Sequence, residues 1–587
     1  MMTDRWLNYV LSIVVVLGLL VVTVYNQPRV REERAAFLAQ ELVEVDLDIA
    51  APEEATEAVQ LRQRERPEET SPELETEVAG FEPPPVLDGY GVSASHPTAV
   101  EVGMEVLEGG GNAIDAAVAV AYTLGVAEPF GSGIGGGGTM LIKREGEEPR
   151  VLDYREIAPI NGIPPTSDIG VPGFVAGMDR IHDEYGTVQL EDLIEYAARL
   201  AESGIEVDPY LNERLQGAAH RLPIHMLPRF FPEGQAIAAG QMLHQPEYAV
   251  ALRLIQEQGP AAFYEGAIGQ QIVEAVPGLE LADLGAYEVL EVEPGRGTFG
   301  GYEVLAAGAP VAAPTVIQLL QTAEARGIND LDLASADAFH VQIQAWRLAN
   351  SQRIDRIGDP SIEDVVLAEL LDPAVSQGFA DLIPPDAFAE VPEDVEAVTE
   401  ETDTTHVVVV DEDGTMVSMT NTLSNFFGSG LAVSGFFLND QLKNFAPNPA
   451  SVNAVAPLKR PRSFVAPLML LEDDRPVLGI GSPGGRRIPN AVAQVIVRWA
   501  GHGEELESAV QQPRFHMERA RLLVEAPLDS DALEQLVSWG YEVREHLPTT
   551  EYYGAIQALE VDWDTGEVTG ANEIRRQGTW ASSTRVD

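Results

Sequence analysis

Two threonine-bearing segments stand out as places where this chain could do chemistry. Asp403-Thr404-Thr405-His406 opens a run of β-branched residues, and Thr420-Asn421-Thr422 ends the next such run. The turn signal at Glu412–Gly414 makes the two runs a hairpin, which would bring the threonines near one another. A threonine hydroxyl is a weak nucleophile that works only with a base beside it. Threonine also has high strand propensity, so edge-strand threonines account for the same pattern on spacing alone. The competing chemistries are thinner. The chain has no cysteine and its ten histidines form neither H-E-x-x-H nor H-x-H, so a cysteine nucleophile and a thiolate or paired-histidine metal site are excluded. No G-K-[ST] and no G-x-S-x-G occurs. Gly131, Gly133 and Gly136 match G-x-G-x-x-G, but they follow a helix and precede a strand, the reverse of a dinucleotide fingerprint. A serine, a threonine or a carboxylate pair remains.

The elements that would position these residues are legible in outline. An Ala/Val-rich stretch predicts a buried helix from Asn112 to about Val126, and Thr139–Lys143 and Val151–Arg155 read as strands. Phe174–Tyr185 and Leu190–Glu202 have amphipathic spacing, and Ser335 suits the N-cap of a helix running to Gln352. Strand signals recur at Pro467–Leu471 and Val477–Ile480, followed by a helix from Asn490 to about Gly501. Strands on both sides of helical layers indicate an α+β layered architecture.

The charge is lopsided: 93 acidic against 37 basic residues give a net −56, and lysine occurs only at Lys143, Lys443 and Lys459. Such a field repels phosphate backbones and argues against nucleic-acid partners. It fits an acidic, halophilic protein whose self-repulsion salt screens. Trp6 to Tyr25 is mostly apolar and uncharged over a length that can span a bilayer. No A-x-A site follows, so residues 1–26 are expected to be a retained transmembrane anchor. Residues 27–87, acidic and Pro-containing, are expected to form a stalk, partly helical and partly disordered.

From about residue 90 onward the chain resembles the γ-glutamyltransferases, which are N-terminal-nucleophile (Ntn) hydrolases. The resemblance is carried, in the family's order, by GGGNAIDAAVAVAYTLGV, GGGGTMLI, LDYREIAP, GVPGFVAG, TTHVVVVDEDGTMVSMTNTLSNFFGSG, LNDQLKNF, KRPRSF, GSPGGRRI and QQPRFH. It implies a four-layer αββα sandwich made as one precursor that cuts itself between Asp403 and Thr404. A large subunit (88–403) and a small one (404–587) would stay together as a heterodimer. It also implies roles: Thr404 as nucleophile with its freed α-amine as base, Thr422 orienting it, and the Gly484 and Gly485 amides as oxyanion hole. Arg155 and Ser463 would hold the substrate α-carboxylate, with Gln441 in the same pocket. The expected donor is a small γ-glutamyl amide such as glutathione, and the acceptor water, an amino acid or a peptide. No cofactor or metal is implied. The family usually acts outside the cytoplasm, which suggests an inner-membrane anchor with the catalytic part periplasmic or extracellular.

The chain departs from that pattern in the donor pocket. Asn444 stands where the family has the aspartate that pairs with the glutamyl ammonium, Ser424 replaces a second ammonium contact, Phe464 replaces the second pocket serine, and Val408 replaces a small hydroxyl residue. A charge-assisted hydrogen bond contributes about 1.5–3 kcal/mol against about 1 for a neutral one. Weaker selection for an α-ammonium follows, which leaves room for glutaryl-type amide acylase activity. A non-catalytic, ligand-binding relative is the further alternative. The stretch from Phe445 to Asn453 is also shorter than the lid many relatives carry.

Overall fold

The computed structural model describes residues 59–64, 87–389, 402–518, 521–545 and 550–583. Its centre is a pair of stacked, mostly antiparallel sheets. The first has seven strands in the order Thr579–Ser582, Gly91–Ala94, Thr402–Val410, Met416–Asn425, Gly137–Lys143, Arg150–Asp153 and Leu290–Val292. The second has six: Glu567–Gly570, Gln557–Asp562, Arg475–Gly481, Leu468–Glu472, Tyr302–Ala306 and Gly295–Phe299.

The period-2 geometry of one strand explains the layering. In Thr402–Val410, Val407 and Val409 pack with Val118 and Ala121 of the helix Ala113–Ala127, while Val408 and Val410 face the second sheet's Leu468 and Ile480. Helices Pro97–Glu108, Ala113–Ala127 and Phe174–Tyr185 cover the first sheet's outer face, with Leu190–Ser203 packed on Ala113–Ala127, and Ala313–Ala325 and Ile488–Ile496 cover the second sheet. The result is helix, sheet, sheet, helix, an α+β sandwich.

Local signals account for much of this. Asn112 caps Ala113–Ala127 with a reciprocal capping box through Asp115, which anchors the buried Ala/Val helix at its orphan N–H groups. Ser335 accepts the Ala338 N–H and starts Ala336–Arg356. Several boundaries differ from expectation by a few residues, the Ser335-capped helix running on past Gln352 to Arg356 among them; two more differences lie beside motif residues. The strand Arg150–Asp153 stops before Arg155, because Asp153 turns its carboxylate back onto the Arg155 N–H. The helix expected from Asn490 starts at Ile488 and finishes with a π-turn, Val497–Gly501.

The expected anchor at 1–26 and most of the stalk lie outside the described residues. Among the described residues no helix is long and apolar enough to cross a membrane. Part of the expected stalk, residues 59–64, is docked on the sandwich. Arg62 pairs with Asp192 at 2.8 Å, and the Arg64 N–H donates to the Thr187 carbonyl at 2.9 Å.

All three lysines turn inward. Lys143 and Lys459 are buried and pair with Asp474 and Glu363; Lys443, its side chain 12% exposed, pairs with Asp440. The exposed cations of the described surface are therefore arginines rather than lysines.

Candidate active site

The two threonines of the hairpin meet. Asp403 lies opposite Ser424 and Thr405 opposite Asn421, so the register slips by one residue between them and both Thr422 and Leu423 face Thr404. Such a bulge re-aims side chains. Here it turns the Thr422 hydroxyl toward the start of the neighbouring strand. Ser424 absorbs the bend with φ = 81°, unusual for a residue with a Cβ. Gly136 presses on the same point from just before the strand Gly137–Lys143, where a Cβ would sit 2.2 Å from the Thr422 carbonyl oxygen. The glycine run thus serves close backbone packing rather than phosphate binding.

The Thr422 hydroxyl is fully used. It donates to the Asp403 carbonyl oxygen at 2.8 Å, and accepts from the Thr404 hydroxyl at 3.3 Å and the Ser424 N–H at 2.8 Å. The hydroxyl of Thr404 is therefore linked, through one side chain, to the carbonyl of the peptide bond preceding it. Asp403, Thr404 and Thr422 are all buried. Next along the strand, Thr405 points to the helix-layer side and bonds the Ser132 hydroxyl at 2.8 Å, while His406 points between the sheets. His406 Nδ1 lies 2.8 Å from the Thr420 hydroxyl, and burial holds the imidazole down at about 3. It is neutral packing beneath the threonines.

Gly484 and Gly485 form the turn between strand Arg475–Gly481 and helix Ile488–Ile496, with φ values of 129° and 58° that only glycine takes readily. The short turn Gly485–Arg487 packs against Thr402–Val410, which brings these amides to the nucleophile strand. A Cβ on Gly484 would lie 2.9 Å from Gly554 Cα, so a side chain has no room.

The model for the family described as gamma-glutamyltranspeptidase matches residues 99–583. The chain belongs to the γ-glutamyltranspeptidase family. It is 39% identical over 500 residues to the capsule biosynthesis protein CapD proenzyme of Bacillus anthracis, covering 84% of this chain and 91% of that one. It is 34% identical over 534 residues to the glutathione hydrolase proenzyme of Escherichia coli (strain K12), again covering 84% and 91%. Against the acylase ACY 1 proenzyme of Pseudomonas sp. (strain SE83) the identity is 31% over 520 residues, covering 83% and 92%. A solved cephalosporin acylase from Bacillus halodurans superposes with a TM-score of 0.77 at 26% identity, over 86% of this chain and 98% of that one.

The donor-pocket residues of this γ-glutamyltranspeptidase-family chain fall into two groups. Ser424 and Asn444 come together, with the Asn444 amide 3.4 Å from the Ser424 hydroxyl. Gln441 sits on the same turn, Gln441–Asn444, its side-chain N–H₂ buried with no protein partner. The following stretch closes on itself through the Ala446 N–H and the Asn453 carbonyl (2.9 Å). Arg155 is completely buried. Its guanidinium is engaged by Asp153 through Nε (3.1 Å) and Nη2 (2.8 Å), and by the Pro461 carbonyl through Nη1 (2.8 Å). Ser463 follows Pro461 by two residues and accepts from the Val465 N–H at 3.4 Å. Phe464 turns away to stack under Arg353, whose Cζ lies 4.0 Å from the ring centre. Val408, fully buried, packs against Gly479 between the sheets.

Sequence reasoning missed three groups. Arg576 is buried and grips Asp403 with two bonds of 2.9 and 2.8 Å. Glu128, bonded by the Ser95 hydroxyl, lies 3.5 Å from Arg576, and burial raises it to about 7 despite that neighbour. Glu156, next to Arg155, is buried with neither carboxyl oxygen hydrogen-bonded, and burial raises it to about 8. The one visible signal was the Arg575-Arg576 dipeptide in an otherwise cation-poor chain. Among the described residues no group of three or more His, Asp or Glu side chains is arranged to hold a metal.

Proposed function

We propose that this chain is a self-processing γ-glutamyltransferase or glutathione hydrolase, cut between Asp403 and Thr404 and acting through an ester on Thr404. The observation that carries this reading is the shared Thr422 hydroxyl, bonded at once to the Asp403 carbonyl (2.8 Å) and the Thr404 hydroxyl (3.3 Å). Attack of Thr404 Oγ on that carbonyl builds negative charge on an oxygen that already has a donor. Cleavage frees the Thr404 α-amine, whose ordinary pKa of about 7.7–8.0 suits a general base at neutral pH. Base and nucleophile then share one residue, and the site exists only after processing.

In the mature enzyme Thr404 Oγ attacks the γ-carbonyl of the donor, its proton passing to the α-amine and on to the leaving amine. The Gly484 and Gly485 amides hold the oxyanion, and water or an amino acid or peptide amine then takes the acyl group. Gln441, Asn444, Ser424 and Ser463 orient the donor; Arg155, completely buried on Asp153 and the Pro461 carbonyl, backs the segment that carries Ser463. The two fragments stay associated as a heterodimer because both contribute strands to each sheet. The relatives named glutathione hydrolase proenzyme support this reading.

A second reading is favoured by one observation. The Asn444–Ser424 pair carries no charge for an α-ammonium, so donors without one, glutaryl-type amides, lose less here. The likeness to cephalosporin acylase points the same way. The test is a denaturing gel of wild type and Thr404→Ala, then kcat/KM for glutathione, γ-glutamyl anilide and glutaryl anilide. Wild type should yield a small fragment starting at Thr404, the variant none, and γ-glutamyl substrates should turn over. An uncut wild type removes both catalytic readings in favour of a ligand-binding relative. A clear preference for glutaryl anilide selects the second.

The uncharged span at residues 6–25 supports a membrane anchor, and the family's usual place of action supports a catalytic part outside the cytoplasm. The net charge of −56 supports a high-salt habitat. Protease accessibility in spheroplasts and stability across a salt series test these two readings.

A further inference from the structure

The peptide to be cut is held at more than its carbonyl. The Thr404 N–H donates to the side chain of the residue before it, Asp403 Oδ1, at 2.8 Å. Asp403 is in turn held by both ends of the Arg576 guanidinium, Nη1 to Oδ1 at 2.9 Å and Nη2 to Oδ2 at 2.8 Å. Nη1 also reaches the Thr404 carbonyl at 3.3 Å, so one arginine touches the residues on both sides of the bond. Arg576 itself has no freedom to follow a moving partner. Its side chain is 1% exposed, its Cζ lies 5.3 and 4.9 Å from the rings of Phe130 and Tyr210, and Glu128 sits 3.5 Å from Nε.

We propose that Arg576, acting through the Asp403 carboxylate, aligns the Asp403–Thr404 peptide for self-cleavage, and that this is why aspartate precedes the nucleophile. The inference rests on the reading that the chain cuts itself before Thr404. In that step the bond from Thr404 Oγ to the Asp403 carbonyl carbon forms and the carbon–nitrogen bond breaks. The hydroxyl proton ends on the nitrogen, which becomes the α-amine, and water then opens the ester. Arg576 exchanges no proton or electron pair in this sequence. It is a positioning residue: with the carbonyl oxygen on Thr422 and the N–H on a clamped carboxylate, the peptide plane cannot turn away from the hydroxyl, the orientation effect that makes an intramolecular attack fast. The side-chain length matters. Aspartate folds back onto the next N–H while presenting both oxygens to the guanidinium. Asparagine keeps an acceptor but gives Arg576 no charge.

The charges around the clamp are consistent with this use. The Asp403 carboxylate faces Arg576, Arg214 and Glu128; Glu128 in turn faces Arg576, Ser95, Asp403 and Asp208. Burial lifts Asp403 above the usual aspartate range, opposed by Arg576. Glu128, raised to about 7, is largely protonated below neutrality, which leaves the Arg576 charge to Asp403. The clamp is intact while Asp403 is ionised and is lost as pH falls through its raised pKa, so processing slows on the acid side.

The test follows conversion of the freshly translated full-length chain into its two fragments on denaturing gels over a pH series. Arg576→Gln and Asp403→Asn should each slow conversion on the order of tenfold to a hundredfold, Arg576→Lys should fall between, and Asp403→Asn should lose the wild-type acid limb. The uncut Thr404→Ala protein should still fold cooperatively with Arg576→Gln added, melting lower because Asp403 and Glu128 lose their buried partner. Conversion of Arg576→Gln or Asp403→Asn at the wild-type rate, or an acid limb retained in Asp403→Asn, overturns the proposal. If Arg576→Gln does not accumulate, Asp403→Asn, with Arg576 intact, decides. A wild type that stays uncut, or Thr404→Ala cut at the same bond, instead sinks the processing reading itself.

Discussion

The Asn444 side-chain amide lies 3.4 Å from the Ser424 hydroxyl, a neutral pair at the point where the family resemblance places a charged ammonium receptor. Restoring a carboxylate should restore selection. Asn444→Asp is expected to raise kcat/KM for γ-glutamyl anilide relative to glutaryl anilide by about tenfold, the difference between a charge-assisted and a neutral hydrogen bond. An unchanged ratio would show that neither residue meets the α-amino group.

The turn at Gly484 has no space for a Cβ, which would lie 2.9 Å from Gly554 Cα. Gly484→Ala must therefore displace the amides aimed at the oxyanion. We expect kcat to fall on the order of a hundredfold to a thousandfold with little change in KM, the pattern for a lost oxyanion donor. Steady-state kinetics on the fully processed variant checks it; a rise in KM alone would place the glycines in ground-state binding.

His406 gives the protein a defined acid weakness. Burial lowers its folded pKa to about 3, while an unfolded histidine titrates near 6.5. Its stabilising neutrality is complete above about pH 6.5 and is lost as pH falls from there toward 3, at about 1.4 kcal/mol per pH unit. Denaturant unfolding of uncut Thr404→Ala, with and without His406→Gln, should show a shallower acid decline in the double variant. Parallel curves would refute the assignment.

A negatively charged donor approaches a chain of net charge −56. Moderate salt screens that repulsion over about 10 Å and should raise kcat/KM for glutathione. The control is an uncharged ester or anilide donor, whose rate should stay flat. Equal salt responses for the two donors would assign the effect to the fold instead.

What could be read in advance was local. The hairpin with its turn at Glu412–Gly414, the Ser335 cap and the helix Phe174–Tyr185 each depend on neighbours a few residues away, and each is found where its pattern puts it. The arrangement at the nucleophile depends on pairing. Nothing in TTHVVVV or MVSMTNT says that the ladder slips by one residue at Thr422, yet that slip is what joins the two hydroxyls. Arg576 stands 173 residues from the aspartate it grips, and its place beside Thr404 follows only from the edge strand Thr579–Ser582 joining the first sheet. Arg155 shows the opposite lesson. The aspartate that engages it lies two residues earlier in LDYREIAP, so this pairing is itself local.

The inward-turned lysines give maturation a chemical signature. With Lys143, Lys459 and Lys443 each held by a carboxylate, reagents that acylate amines meet no lysine side chain free on the described surface. Self-cleavage then adds a new primary amine at Thr404, in a site that must admit small molecules. An amine-reactive fluorophore should therefore label the small fragment as it is born, and a γ-glutamyl substrate should protect it, turning the scarcity of lysine into a direct optical readout of how much enzyme has matured.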